Sequence, residues 1–226
     1  MYLKCFGEFM GTLVLVLLGD GVVANVLLKH SKAEGAGWMV ITSGWAFAVM
    51  AGVFTAIACG SADAHLNPAV TMGFAVSSGQ FAKFAPYVVA QMAGAFLGAI
   101  LVWLHFLPHW RKTEDQGLKL ACFCTAPAIR SFSANLVSEI LGTLVLVLVV
   151  GAIFSKAVAV SGPASGLGPY LVAALVWGMG FLSEERRVMP LIPLATSDRA
   201  SPTRYCPSRA RGARIGATQS CRCSVH

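Results

Sequence analysis

Residues 64–71 read Ala64-His65-Leu66-Asn67-Pro68-Ala69-Val70-Thr71. An amide two residues from an imidazole offers hydrogen-bond donors and acceptors to a passing hydroxyl, but neither a nucleophile nor a metal cluster. Asn67 is a good N-cap and Pro68 a good first helical residue, so the spacing predicts a helix that starts at Asn67. The apolar run after it stops near Val76, too short to cross a bilayer. The helix would therefore begin in mid-membrane, after an irregular approach over Gly60 to His65: a re-entrant half-helix. Its N-terminus would bring positive dipole character to the centre of a pathway, and Asn67 its amide. His65 titrates near neutrality, but a structural hydrogen-bonding role suits it better than proton transfer.

The acids that share this apolar chain are few. Glu8 opens Glu8-Phe9-Met10-Gly11-Thr12 and then Leu-Val-Leu-Val-Leu, and Glu139 opens Glu139-Ile140-Leu141-Gly142-Thr143 with the same continuation, 131 residues later. The chain thus contains an internal repeat, as channels and transporters built of two facing halves do, and a site is expected between the halves. A carboxylate in a membrane helix faces the protein interior and accepts hydrogen bonds, so Glu8 and Glu139 are expected to be structural buried carboxylates. Asp20 is expected near the outer mouth. His30, His105 and His109 fall at predicted helix ends and carry no signal. The seven cysteines lack paired metal spacing and read as buried or incidental thiols.

These residues need elements to hold them, and composition says which. At 56% hydrophobic, 12% charged and mean hydropathy +0.69, 226 residues are too apolar for a soluble domain. Phe6 to Leu28, Gly35 to Ala62, Phe84 to Trp110, Phe132 to Ser155 and Ala157 to Ser183 each supply the roughly 20 apolar residues of a membrane helix. The first is too long for a signal peptide, and it carries a carboxylate. Net charge divides unevenly: residues 1–182 hold nine Lys+Arg against seven Asp+Glu, whereas 183–226 hold eight Arg against three acids. That basic tail lacks Lys and apolar periodicity and reads as disordered. Its arginines have no periodic face and no aromatic partners, so nucleic acid is not an expected partner.

The His-Leu-Asn-Pro-Ala-Val-Thr stretch, flanked by the two Glu-x-x-Gly-Thr helices, resembles the first Asn-Pro-Ala loop of the major intrinsic protein family, the aquaporins and glycerol facilitators. The resemblance covers residues 1 to about 182 and is nearest to the bacterial aquaglyceroporins. It implies an all-α membrane protein, an aquaporin-like right-handed bundle of tilted helices with a re-entrant half-helix. Asn67, Pro68 and Ala69 become the pore motif, and Trp45, Gly178 and His65 the pore and selectivity residues, with Trp45 as the aromatic wall of the outer constriction. A passive channel for glycerol and other small neutral polyols is implied, with water as a further permeant, no cofactor, no enzymatic activity, and a homotetramer in the cell membrane. Lys4, Lys83 and Lys156 would be inside and Lys29, Lys32, Arg111, Lys112, Lys119 and Arg130 outside, so the orientation follows from the resemblance and not from the positive-inside rule. A water-selective aquaporin is the first alternative; a secondary transporter, which would need ion-coupling groups, and an inactive fragment are the others.

The sequence departs from the family after Trp177-Gly178-Met179-Gly180, where a second Asn-Pro-Ala with Arg and Asp is due. The expected domains are a membrane domain over 1–182, with a first repeat at 1–106 and a partial second at 132–182, and a non-family tail at 183–226. Read in a shifted frame, Met189 into Pro190 must give Ala and Tyr205 into Cys206 must give Leu. Synonymous codons then allow Val188 to Pro207 to contain Tyr-Ala-Ile-Asn-Pro-Ala-Arg-Asp-Phe-Gly-Pro. The tail is therefore expected to be the family's ending out of frame, and a form lacking the second half-helix is expected not to conduct.

Overall fold

Within lipid every backbone N–H and C=O must pair inside its own segment, so long apolar runs become helices. The computed structural model describes residues 1–124, 129, 131–158, 160–164 and 166–182, and among the described residues there is no strand. The basic tail and its rereading lie outside them. Eight helices follow in order: α1 (Tyr2–Leu27), α2 (Trp38–Ala58), α3 (Pro68–Ser78), α4 (Phe84–His105), α5 (Leu107–Lys112), α6 (Gln116–Ala121), α7 (Phe132–Ile153) and α8 (Leu167–Leu182). Of these, α1, α2, α4 and α7 are long and apolar enough to cross a membrane.

Two expected spans end differently. The apolar run from Phe84 breaks at Phe106, and Pro108 sits in the first turn of a separate α5. The run expected from Ala157 becomes helix only at Leu167, because Gly162 and Gly166 take left-handed φ of 75° and 80° before it. At 16 residues, α8 is a short apolar helix of about 24 Å.

Helix α1 is the axis of the bundle and packs along both α2 and α4; α2 also packs on α8, and α3 lies against α4 and α7. Small residues permit this closeness. A Cβ added at Gly52 would lie 2.8 Å from the carbonyl oxygen of Gly11, and one at Gly98 2.8 Å from that of Leu13. The core at these crossings is Leu15, Val16, Val49, Val53, Ala56, Leu66 and Ala95. A second cluster, Ala24, Leu28, Val102 and Cys122, seals the far end under α6, where Asp115 caps that helix by accepting from Gly117 N and Leu118 N. Phe47, Phe54, Val89, Phe96, Leu144 and Leu148 face outward, where lipid chains solvate them at no hydrophobic cost.

Because the α1–α4 crossing is made at Gly98, Gly98→Ala should destabilise the bundle by about 1–3 kcal/mol. Gly151→Ala, with open space at its would-be Cβ, should stay within about 0.5 kcal/mol of the parent. Thermal unfolding of the two variants in one detergent decides it, and equal midpoints would contradict the close-packed crossing.

Candidate functional site

The half-helix forms where the sequence places it. Asn67 caps α3, its Oδ1 accepting from Ala69 N at 2.8 Å, with Pro68 in the first turn and Gly79 closing the other end at φ 69°. Eleven residues make about 16 Å, half a bilayer.

The approach to Asn67 is held by one buried side chain. Glu8, 0% exposed, accepts four hydrogen bonds: Oε1 from Ser61 Oγ at 2.7 Å and His65 N at 3.0 Å, Oε2 from Leu66 N and from Gln91 Nε2, both at 2.8 Å. Ala64 and Leu66 adopt left-handed φ of 42° and 51°, a cost of roughly 1–2 kcal/mol each that the carboxylate offsets by taking the turned N–H groups. Gln91 also donates to Thr71 Oγ1 at 3.1 Å, and that hydroxyl donates to Asn67 O at 3.0 Å. The network runs from α1 through the irregular stretch into the half-helix and α4.

A second carboxylate ties the same stretch to the membrane surface. Asp63 Oδ2 accepts from Tyr87 Oη at 2.6 Å, Lys83 Nζ at 2.9 Å and Lys4 Nζ at 3.4 Å. Partial burial raises the Asp63 pKa, but these donors and the two ammonium charges outweigh it and hold the carboxyl at about 2. His65 stacks on Phe74, with centroids 5.0 Å apart and planes at 6°, and meets Tyr87 edge-on at 5.5 Å. Its Nδ1 is buried without a partner among the described residues.

A cavity of about 540 Å³ runs beside α3. Asp63, His65 and Asn67 line it, as do Trp45, which lies against Gly19, and Asp20 and Cys122. Trp38 lines it too and donates from Nε1 to Gly180 O at 2.8 Å, tying α2 to α8. The structure thus gathers Trp45, His65 and Asn67 on one cavity. Pro68 and Ala69 belong to the turn that sets the cap. Gly178 is exposed, and Met179 and Gly180 line the cavity instead, because each residue along α8 turns by about 100° and Gly178 falls on the other face. Glu139 differs from Glu8: it is half-buried and accepts no hydrogen bond from a described residue. Three of the four donors to Glu8 come from residues 61–66, and the stretch standing 131 residues after these falls beyond residue 182. Ser61, Asp63, Thr71, Tyr87 and Gln91 were not singled out from the sequence. Gln91 had a signal, being the amide inside an otherwise apolar span.

A capped half-helix held inside a bundle of bilayer-length helices, with its cap on a polar-ended cavity, defines a multi-pass membrane channel protein. The chain belongs to the major intrinsic protein family, whose model matches residues 1–182. It is 50% identical over 175 residues to a probable glycerol uptake facilitator protein of Thermotoga maritima, covering 76% of this chain and 71% of that one. It is 48% identical over 178 residues to the glycerol uptake facilitator protein of Streptococcus pneumoniae R6, covering 78% and 73%. The X-ray structure of the aquaglyceroporin from Plasmodium falciparum superposes with a TM-score of 0.66 at 27% identity, covering 82% of this chain and 74% of that one.

Replacing Glu8 by Gln keeps the volume but sets an amide N–H₂ against donors, so at least one or two of the four hydrogen bonds fail at a cost of about 2–4 kcal/mol. Circular dichroism on heating should show the midpoint falling by several degrees; an unchanged midpoint would remove the anchor role. For Asp63 the folded pKa lies below the ordinary 3.8, so its stabilisation is present above about pH 4 and is lost as pH falls toward 2. Asp63→Asn should flatten the stability curve over that window, and a curve parallel to the parent's would refute the clamp.

Proposed function

We propose that this protein is a passive channel carrying glycerol and other small neutral polyols, with water, across the cell membrane, and that it has no enzymatic activity. The observation that carries the reading is the Asn67-capped half-helix opening on the cavity that Trp45 and His65 also line. Small neutral solutes suit such a passage, because indole faces accept C–H surface while amide and backbone groups pair with hydroxyls. Several relatives are glycerol uptake facilitators by name and the structural neighbour is an aquaglyceroporin, which supports the choice of permeant. In this reading Asn67, Pro68 and Ala69 form the pore motif, Trp45 and His65 shape selectivity, and Glu8 holds the wall. Gly178 enters only as a neighbour of the cavity-lining Met179. Residues 1–182 act as the membrane domain, assembled as a homotetramer through outward apolar faces.

A form lacking the second Asn-Pro-Ala motif is expected from its sequence not to conduct; because the Asn67 turn and its cavity are formed, purified chain reconstituted into lipid vesicles should instead accelerate glycerol-driven swelling, followed by light scattering, several-fold over protein-free vesicles. Trp45→Ala should change the glycerol-to-water permeability ratio. Swelling equal to that of protein-free vesicles would refute conduction by this chain.

A further inference from the structure

Helix α1 carries two carboxylates twelve residues apart, about 18 Å along the axis. Glu8 takes four donors. Asp20 is also buried, at 8% exposure, yet among the described residues none donates to it and none forms an ion pair with it. Its oxygens are not among the sealed unpartnered atoms, and it lines the cavity. No Lys or Arg lines that cavity among the described residues. Asp63, bound to Lys4 near the start of α1, marks one end of the passage, so Asp20, sixteen residues further along α1, belongs toward the other.

An acid kept in a membrane helix without a resident partner is costly, and it persists where something mobile pairs with it. With neither a cation on the cavity wall nor a described side chain donating to it, Asp20 is open to donors that enter the cavity. A carboxylate accepts two hydrogen bonds side by side, the pattern that adjacent hydroxyls on neighbouring carbons present. Trp38, Ile41 and Trp45 on the same cavity give the carbon skeleton an apolar wall. We propose that Asp20 is a specificity-determining residue that docks vicinal diols before they reach the Asn67 turn. The proposal rests on the channel reading above and deepens it.

The test is a titration of the full chain in vesicles with propane-1,2-diol and with propane-1,3-diol, following tryptophan fluorescence, since Trp38 and Trp45 share the cavity with Asp20. The parent should respond saturably, with the 1,2-diol favoured. Asp20→Val should raise the 1,2-diol half-saturation about tenfold, the size of one hydrogen bond to a charged group, and leave the 1,3-diol nearly unchanged. Asp20→Asn, which keeps the volume, should abolish the preference between the two diols and serves if the Val variant does not fold. Equal preference in parent and Asn variant, or no response of the parent to either diol, would overturn the proposal. Vesicles that fail to swell while the titration still discriminates the diols would instead count against conduction alone.

Discussion

The architecture depends on what it takes to keep non-helical backbone inside a membrane. Residues 64–66 lie outside any helix, and in hydrocarbon each unpaired N–H would cost several kcal/mol. Glu8 meets that demand. One carboxylate collects two of the stretch's N–H groups and a hydroxyl, and its fourth donor, Gln91, reaches on to Thr71 at the start of the half-helix. A neutral acceptor could not take this many donors at comparable strength. The ion is tolerable because the donors surround it, and the strained φ values at Ala64 and Leu66 are tolerable because the ion is there.

That anchor explains the arrangement around it. Helix α1 must sit centrally, since Glu8 reaches the stretch following α2 and also α4, and the glycines at the two crossings let both neighbours approach. The half-helix is then aimed by the Asn67 cap and by Thr71, and α3 is wedged between α4 and α7. The cavity is walled largely by apolar side chains, with Asp20, Asp63, His65 and Asn67 as polar groups on it, and further apolar side chains face lipid.

Much of this was legible in the residue pattern. The Asn67-Pro68 start of a short helix, the spans at α1, α2, α4 and α7 and the inward carboxylate at Glu8 follow from capping chemistry and from lipid as solvent. What was not legible came from pairing across distance. Nothing near Asp63 in the chain announces Lys4, Lys83 and Tyr87 converging on one oxygen, and the Gly180 carbonyl does not advertise the Trp38 indole. The repeat also misled. It implied that Glu139 would be held as Glu8 is, whereas Glu139 is half-buried and accepts no hydrogen bond from a described residue, and Gly178, assigned through the family resemblance, lies on the exposed face of α8.

The bond between Glu8 and Gln91 spans 83 residues, and this has a consequence for how the chain enters its membrane. As synthesis proceeds, α1 emerges first, carrying a carboxylate whose four donors have not yet been made. Ser61, His65 and Leu66 arrive only after α2, and Gln91 only with α4. Alone in lipid, α1 would hold a carboxylate short of its four donors, a cost of about 3 kcal/mol. The arrival of α2 and then of α4 relieves it, so the helices of the first half stabilise one another through one acidic residue.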